Sequence, residues 1–357
     1  MEAHEGGWIF DGSAASRLWE KSAIGLMVGD GRLVLNDAEL IFCINHRGID
    51  SPGDRWIAGR ADANPSLLHE SAVLEALRVP GNKVVMQKNL DALGIPHSNS
   101  WAARWPSNKH PKNDEPVAEI IWYFSKDSLA IRNNSEFLSE WDGSGELESL
   151  LQWSVSVSEK GRIAEILVID DEQSVVTYRV EETDPIGKLA PPSRSDFERI
   201  SAMHRNPMSG GGSFVSSING WPSEAIGIPL HNGRKLDSIE ENIVRSGNGG
   251  EAESRISVSS SILLDLWNRG LNTRSGFKYG TTWRCYEGDV GEGHAPWLIV
   301  DPFSEGPENW AEACLSSRLA SGVNKHWLYP IHFNGRWRYL EISRPPSDSR
   351  WSNPHRH

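Results

Sequence analysis

Three side chains in the last hundred residues invite a chemical reading. Tyr286 ends an alternating aromatic and polar run, His294 sits in the glycine-rich loop GEGHAP, and Lys325 precedes the apolar run that starts at Trp327. Histidine titrates near neutrality and suits proton transfer. Lysine is a compact point charge suited to stabilising an anion. A phenol is a poor base near neutrality, so Tyr286 needs neighbouring cations or serves to orient a hydroxyl. Taken singly each has an ordinary explanation: strand ends often carry a rim tyrosine, and a lysine before a strand is usually solvated. The case rests on the elements that would bring them together.

Those elements are legible. Ser257 to Arg269 has a serine-rich start, apolar residues at Ile262, Leu263, Leu266 and Trp267, and Gly270 beyond its end, which predicts a capped amphipathic helix. Phe277 to Tyr286 alternates as a half-buried strand does. Pro296 to Asp301 is a short apolar strand. Asn309 to Ser321 reads as a helix, and Trp327 to Ile331 and Trp337 to Ile342 as strands joined by the Asn334-Gly335 hairpin turn. The first half repeats this order faintly: Lys88 to Leu93 with Gly94, Trp101 to Trp105, Val117 to Phe124, Leu147 to Val157, then Ala164 to Ile169 and Val175 to Val180 around an acidic turn. Each half is preceded by a turn and a mixed apolar stretch, Leu26 to Ile44 and Ala225 to Ile243, consistent with a small α/β subdomain. Pro, Gly and Ser mark residues 186–212 as a linker and Ser246 to Gly250 as a shorter break. The segments expected are residues 1–185, 186–212, 213–250, 251–346 and a disordered tail over 347–357.

The bulk numbers narrow the class. At 357 residues, with 38% hydrophobic and 24% charged residues, the chain is long enough for two or more folded domains. No apolar run approaches the roughly 18 residues of a bilayer span, and the acidic N-terminus gives no basic n-region of a signal peptide. Cys43, Cys285 and Cys314 are far apart and odd in number, which predicts reduced thiols and a cytoplasmic protein. The net charge of −12 excludes a general nucleic-acid binder, but residues 251–357 balance 12 basic against 12 acidic side chains, so the deficit lies in residues 1–250. Any polyanion would be bound locally, by shape more than by bulk attraction.

Residues 276–300, GFKYGTTWRCYEGDVGEGHAPWLIV, with SRLASGVNKHWL at 317–328 and the closing YLEISRP at 339–345, resemble the archaeal-type tRNA-splicing endonuclease catalytic domain. The resemblance covers about 255–345 and elsewhere only the outline. It implies an α/β protein of two tandem tRNA-endonuclease-like pseudo-repeats, each a small N-terminal α/β subdomain plus a mixed-sheet domain with flanking helices. It also implies cleavage of precursor tRNA at a bulge–helix–bulge, leaving 2′,3′-cyclic phosphate and 5′-hydroxyl ends, with Tyr286, His294 and Lys325 as the catalytic set and no metal or other cofactor. RNA carries its own 2′-hydroxyl nucleophile, so what is needed is a group to take that proton, an acid for the departing 5′-oxygen and a cation for the phosphorane. Arg318 and Arg344 are the implied clamp on a bulge base, with Arg338 as the other choice for the second.

The first half departs from the pattern. It offers Trp105 or Pro106 near the tyrosine, Pro116 near the histidine, and Lys160, Gly161, Arg162 or Ile163 near the lysine. It is therefore expected to be non-catalytic. Its turn Asp170-Asp171-Glu172 matches the family's acidic docking loop, which implies a homodimer, the commonest assembly. Two other readings stay open. One is a non-catalytic tRNA-binding subunit. The other is a metal-dependent nuclease, for which Asp301 and Glu312 are the nearest carboxylates by count.

Overall fold

A computed structural model describes residues 2–4, 7–129, 137, 145–216, 219–246, 256–291 and 293–353. Most of the expected break at Ser246 to Gly250 lies outside them. The chain divides into two compact units. One comprises Met1–Asp127, Gln152–Val180 and Arg344–His357, the other Ser128–Leu151 and Glu181–Ser343.

The first unit opens with β1 (Glu2–His4), β2 (Gly7–Phe10), α1 (Ser13–Ser22), β3 (Leu26–Val28) and β4 (Arg32–Leu35), forming an antiparallel sheet in the order β1-β2-β4-β3. Next come α2 (Asp37–Arg47), α3 (Trp56–Ala63) and α4 (Leu67–Arg78). A second sheet follows, built from β5 (Lys83–Met86), β6 (Ala102–Trp105), β7 (Ala118–Phe124), β8 (Ile163–Ile169) and β9 (Val175–Thr183), with α5 (Gln87–Leu93) after β5 and α6 (Glu146–Glu159) before β8. Neighbouring pairs run antiparallel from β5 to β6 and from β6 to β7, parallel from β7 to β8, and antiparallel from β8 to β9. Its core joins Leu40, Phe42 and Leu74 from the helices with Val84, Trp105, Ile120 and Leu167 from the sheet.

The second unit holds α7 (Arg194–Ser201), β10 (Asn206–Pro207), β11 (Ser213–Ser216), β12 (Ile228–Leu230), β13 (Gly233–Leu236) and α8 (Ser238–Ser246), with small-sheet order β10-β11-β13-β12. Then come α9 (Val258–Asn268), β14 (Asn272–Ser275), β15 (Trp283–Tyr286), β16 (Trp297–Ile299), α10 (Trp310–Gly322), β17 (His326–Phe333) and β18 (Arg336–Ser343). The five strands stand in chain order, with the same succession of pairing senses as in the first unit: antiparallel, antiparallel, parallel, antiparallel. The likeness reaches single residues. The capping box of Asn36 and Glu39 at α2 sends a Glu39 oxygen to the Gly25 amide at 2.9 Å, and Asp237 and Glu240 at α8 do the same with the Gly227 amide at 2.8 Å.

Several expectations change. The run Phe277 to Tyr286 is not one strand. A 3-10 turn at Phe277–Tyr279 forms the apex of a hairpin between β14 and β15, because Gly276 and Gly280 close a tight loop there. The stretch 186–212 is built into the second unit. The amides of Gly187 and Leu189 donate to the carbonyls of Arg269 and Gly270 at 2.8 and 3.0 Å, and Ser193 caps α7. A side chain at Gly187 would meet the Gly270 oxygen at 2.0 Å, so only glycine permits this approach. Residues 347–353 of the expected tail are built into the first unit. Trp351 exchanges hydrogen bonds with Thr177 and lies 4.9 Å from the Arg104 guanidinium, while Asn353 accepts from the Val175 amide at 2.9 Å.

Candidate active site

Alternation along β15 decides which side chains are free for chemistry. Trp283 and Cys285 are buried in the core with Ile262, Leu266 and Trp267 of α9, so Arg284 and Tyr286 occupy the opposite face. Ser257 fixes the start of α9 by accepting from the Ser260 amide at 3.1 Å.

Register then gathers the three candidate residues. Cys285 pairs with Trp297, so Tyr286 ends β15 beside the start of β16. His294 lies three residues before Trp297, in the loop that enters β16, and is exposed. Trp297 pairs in parallel with His326, so Lys325 enters β17 at the same end of the sheet. The His326 amide donates to the Pro296 carbonyl at 2.9 Å, continuing the ladder to that edge. The exit from α10 fixes Lys325: its amide donates to Ala320 at 3.0 Å, and Asn324 takes a left-handed φ of 54°. Its Nζ donates to the carbonyl of Ala295, the residue after His294. One ammonium hydrogen bond thus ties the lysine to the histidine loop.

Three further residues, which the sequence reading did not single out, belong to this place. The Lys325 Nζ lies 5.3 Å from the centroid of the Tyr279 ring, a cation–π contact. The Arg284 guanidinium lies 5.7 Å from the Tyr286 ring, and Arg274 is directly across β14 from Arg284. Burial pulls the Arg274 guanidinium below its ordinary range, with Glu240 and Tyr286 among the groups that pull it back up. The phenol end of β15 therefore sits among cations. The signal that could have found Tyr279 was its place in GFKYG. Nothing local marks Arg274 as a neighbour of Tyr286, because only the β14–β15 register creates it.

Arg318 is exposed on α10, and no ion pair involves it among the described residues. Arg344, the first residue after β18, is exposed and falls in the other compact unit. Arg338 is committed to both carboxylate oxygens of Glu182. The two carboxylates weighed for metal binding are also committed. Asp301 is fully buried and accepts from the hydroxyls of Ser259 and Ser304 and from the Phe303 amide, and Glu312 accepts from the Glu308 amide at 2.9 Å. Among the described residues, no three His, Cys, Asp or Glu side chains are grouped so as to hold a metal ion, and no helix is long and apolar enough to cross a membrane. All three cysteines are free and buried.

The equivalent place in the first unit is occupied differently. By register Trp105 stands where Tyr286 stands, and Arg162 where Lys325 stands. Trp105 is fully buried and donates to the Asp114 carbonyl at 2.8 Å. Arg162 bonds Glu119 at 2.8 Å and Glu115 at 2.7 Å, and Glu115 lies three residues before β7 as His294 lies three before β16. The turn Asp170-Asp171-Glu172 tips the β8–β9 hairpin, with Asp171 and Glu172 exposed and Asp170 half-buried. Asp170 accepts from the amides of Glu172 and Ser174 at 3.0 and 2.8 Å, and Asp171 pairs with Lys126.

The α/β domain that carries this site has relatives. Residues 259–339 match the family described as tRNA intron endonuclease, catalytic C-terminal domain. A tRNA-splicing endonuclease of Thermoplasma volcanium is 28% identical over 181 residues, covering 49% of this chain and 53% of that protein. One of Picrophilus torridus is 27% identical over 180 residues, covering 50% and 55%. The chain thus spans about half the length of the curated relatives it matches.

Proposed function

We propose that this protein is a tRNA-intron endonuclease of archaeal type that cuts precursor tRNA at bulge–helix–bulge sites without a metal ion. The reading rests on one observation above the rest: strand register brings the backbone positions of Tyr286, His294 and Lys325 to one end of the sheet, inside the stretch that matches the catalytic-domain family. The 2′-oxygen of the nucleotide before the cut forms its bond to phosphorus as the bond to the 5′-oxygen breaks, giving 2′,3′-cyclic phosphate and 5′-hydroxyl ends. Tyr286 orients the 2′-hydroxyl and draws off its proton, with the Arg284 guanidinium over its ring. His294 protonates the leaving oxygen. The Lys325 ammonium stabilises the charge on the phosphorane oxygens. Arg318 and Arg344 are the residues proposed to contact a bulge base. The retained trio weighs against a purely structural subunit, and the commitment of Asp301 and Glu312 to local hydrogen bonds weighs against a metal-dependent nuclease.

In the same reading the molecule is a homodimer of two pseudo-repeats, one active and one not, with the Asp170-Asp171-Glu172 turn docking on the partner. The matching strand order and the shared capping box support the repeat. The test is cleavage of a bulge–helix–bulge RNA in excess EDTA, wild type beside His294→Ala, with the product ends identified. Cyclic-phosphate ends from wild type and a rate loss of about a hundredfold or more in the variant are expected. Cutting that stops in EDTA, or that survives the loss of His294, refutes the mechanism. Binding without cutting points to the structural subunit. Replacing Asp170, Asp171 and Glu172 by their amides is expected to shift light scattering from dimer to monomer, and an unchanged mass removes the docking role.

A further inference from the structure

The 3-10 turn of residues Phe277–Tyr279 presents its two aromatic rings in opposite senses. Tyr279 is half-buried, with its ring against the Lys325 ammonium. Phe277 is 87% exposed, the most exposed large hydrophobic side chain among the described residues, with Ile186 next at 58%. The turn is held firmly. The Tyr279 amide donates to the Gly276 carbonyl at 2.7 Å, the Gly276 amide to Thr282 at 2.9 Å, and the Phe277 amide to the Ser275 hydroxyl at 3.3 Å. A side chain at Gly276 would come within 2.5 Å of Thr281, so the backbone has no slack there. A rigid turn thus holds a bare phenyl ring in water, two residues from the side chain that contacts the candidate catalytic lysine. The neighbour at the tip is Lys278, also exposed.

We propose that Phe277 is a stacking platform for one unpaired nucleobase beside the scissile phosphate, an inference that rests on the RNA-cutting reading above. A phenyl ring offers no hydrogen bond, so it selects for an available base face and not for sequence. Bases inside a duplex have both faces covered, so the ring engages only a base turned out of the helix. Lys278 adds a cation for the adjoining phosphate. The trio alone would cut any flexible phosphodiester it could reach. The platform makes an extruded base part of the requirement and ties the position of the cut to it.

The experiment uses the full-length protein, a bulge–helix–bulge RNA and single-turnover cleavage over a range of enzyme concentrations. Wild type is compared with Phe277→Ala and Phe277→Trp, and each bulge nucleotide is replaced in turn by an abasic one. The expected result is a loss of apparent affinity of about tenfold in Phe277→Ala, with the rate at saturation little changed, and recovery in Phe277→Trp. One abasic position should weaken wild type and leave Phe277→Ala unaffected. The proposal is overturned if Phe277→Ala binds within about twofold of wild type, a loss smaller than any stacked base gives, or if every abasic substitution weakens both proteins alike. It is also overturned if Phe277→Ala changes the molecular mass in solution, which makes the ring a protein contact. A wild-type protein that cuts no bulged RNA removes the RNA-cutting reading itself. Wild type that cuts normally beside an unaffected Phe277→Ala removes only the platform.

Discussion

The Tyr279 ring lies 5.3 Å from the Lys325 Nζ, and that ammonium is also held by the Ala295 carbonyl. Removing the ring while keeping bulk, as in Tyr279→Leu, deletes the cation–π contact and leaves the hydrogen bond. For a partly buried lysine the contact contributes on the order of 1 kcal/mol. Fully transmitted to the barrier, that is about a fivefold slower chemical step. In the proposed mechanism, losing the lysine itself removes the charge that stabilises the phosphorane, with an expected cost of about a hundredfold to a thousandfold. The variants should therefore rank in single-turnover cleavage as Tyr279→Phe near wild type, Tyr279→Leu a few-fold slower, and Lys325→Ala far slower. Because Tyr279 acts through the lysine, Tyr279→Leu combined with Lys325→Ala should be no slower than Lys325→Ala alone. Three results would refute the reasoning. Tyr279→Phe as slow as Tyr279→Leu would make the hydroxyl the working group. Tyr279→Leu as slow as Lys325→Ala would give the ring a direct role. A further loss in the double variant would mean that the two act separately.

Two stability predictions follow from buried carboxylates. Burial and the neighbouring Asp237 carboxylate raise the Glu240 pKa from its ordinary 4.5 to about 8. The folded protein then keeps a proton that the unfolded chain has released, so stability falls as pH rises from about 4.5 to 8 and levels off beyond. Urea midpoints at pH 5 and pH 9 should show this decline in wild type and a flatter profile in Glu240→Gln; equal slopes would contradict it. In the first unit, Arg162→Met leaves Glu119 buried without its guanidinium partner. A loss of about 3–5 kcal/mol is expected from chemical denaturation, and a loss below about 1 kcal/mol, the range of an exposed pair, would mean that the carboxylate finds another partner.

Local signals were read well where local chemistry decides the structure. The serines ahead of Ile262 foretell the cap of α9, and the Asn334-Gly335 pair foretells a turn whose two residues have φ of 52° and 76°. The reading failed where distant contacts decide. Alternation through Phe277–Tyr286 looks like one strand, but pairing of β14 with β15 places the hairpin apex inside it. Pro, Gly and Ser over 186–212 look like a linker, yet Gly187 is there for its approach to Gly270. Trp351 in the supposed tail has a place only because Thr177 and Arg104 receive it. Composition reports what a segment forms alone and is silent on what it packs against.

The same limit explains why sequence comparison left the first half without a clean match at the lysine and tyrosine positions. Strand register supplies the match and shows which side chains stand at those positions in the first unit. At the sheet end where the second unit has an exposed histidine loop and a lysine, the first has Arg162 paired with Glu115 and Glu119. Where the second has a half-buried tyrosine, the first has a tryptophan with its indole N–H on a backbone carbonyl. Each exchange turns a group that could face a substrate into one satisfied within the protein. A guanidinium held by two carboxylates cannot present its charge to a phosphate without leaving Glu119 unpaired in the core, so the first unit's version of the site opposes anion binding by its own stability.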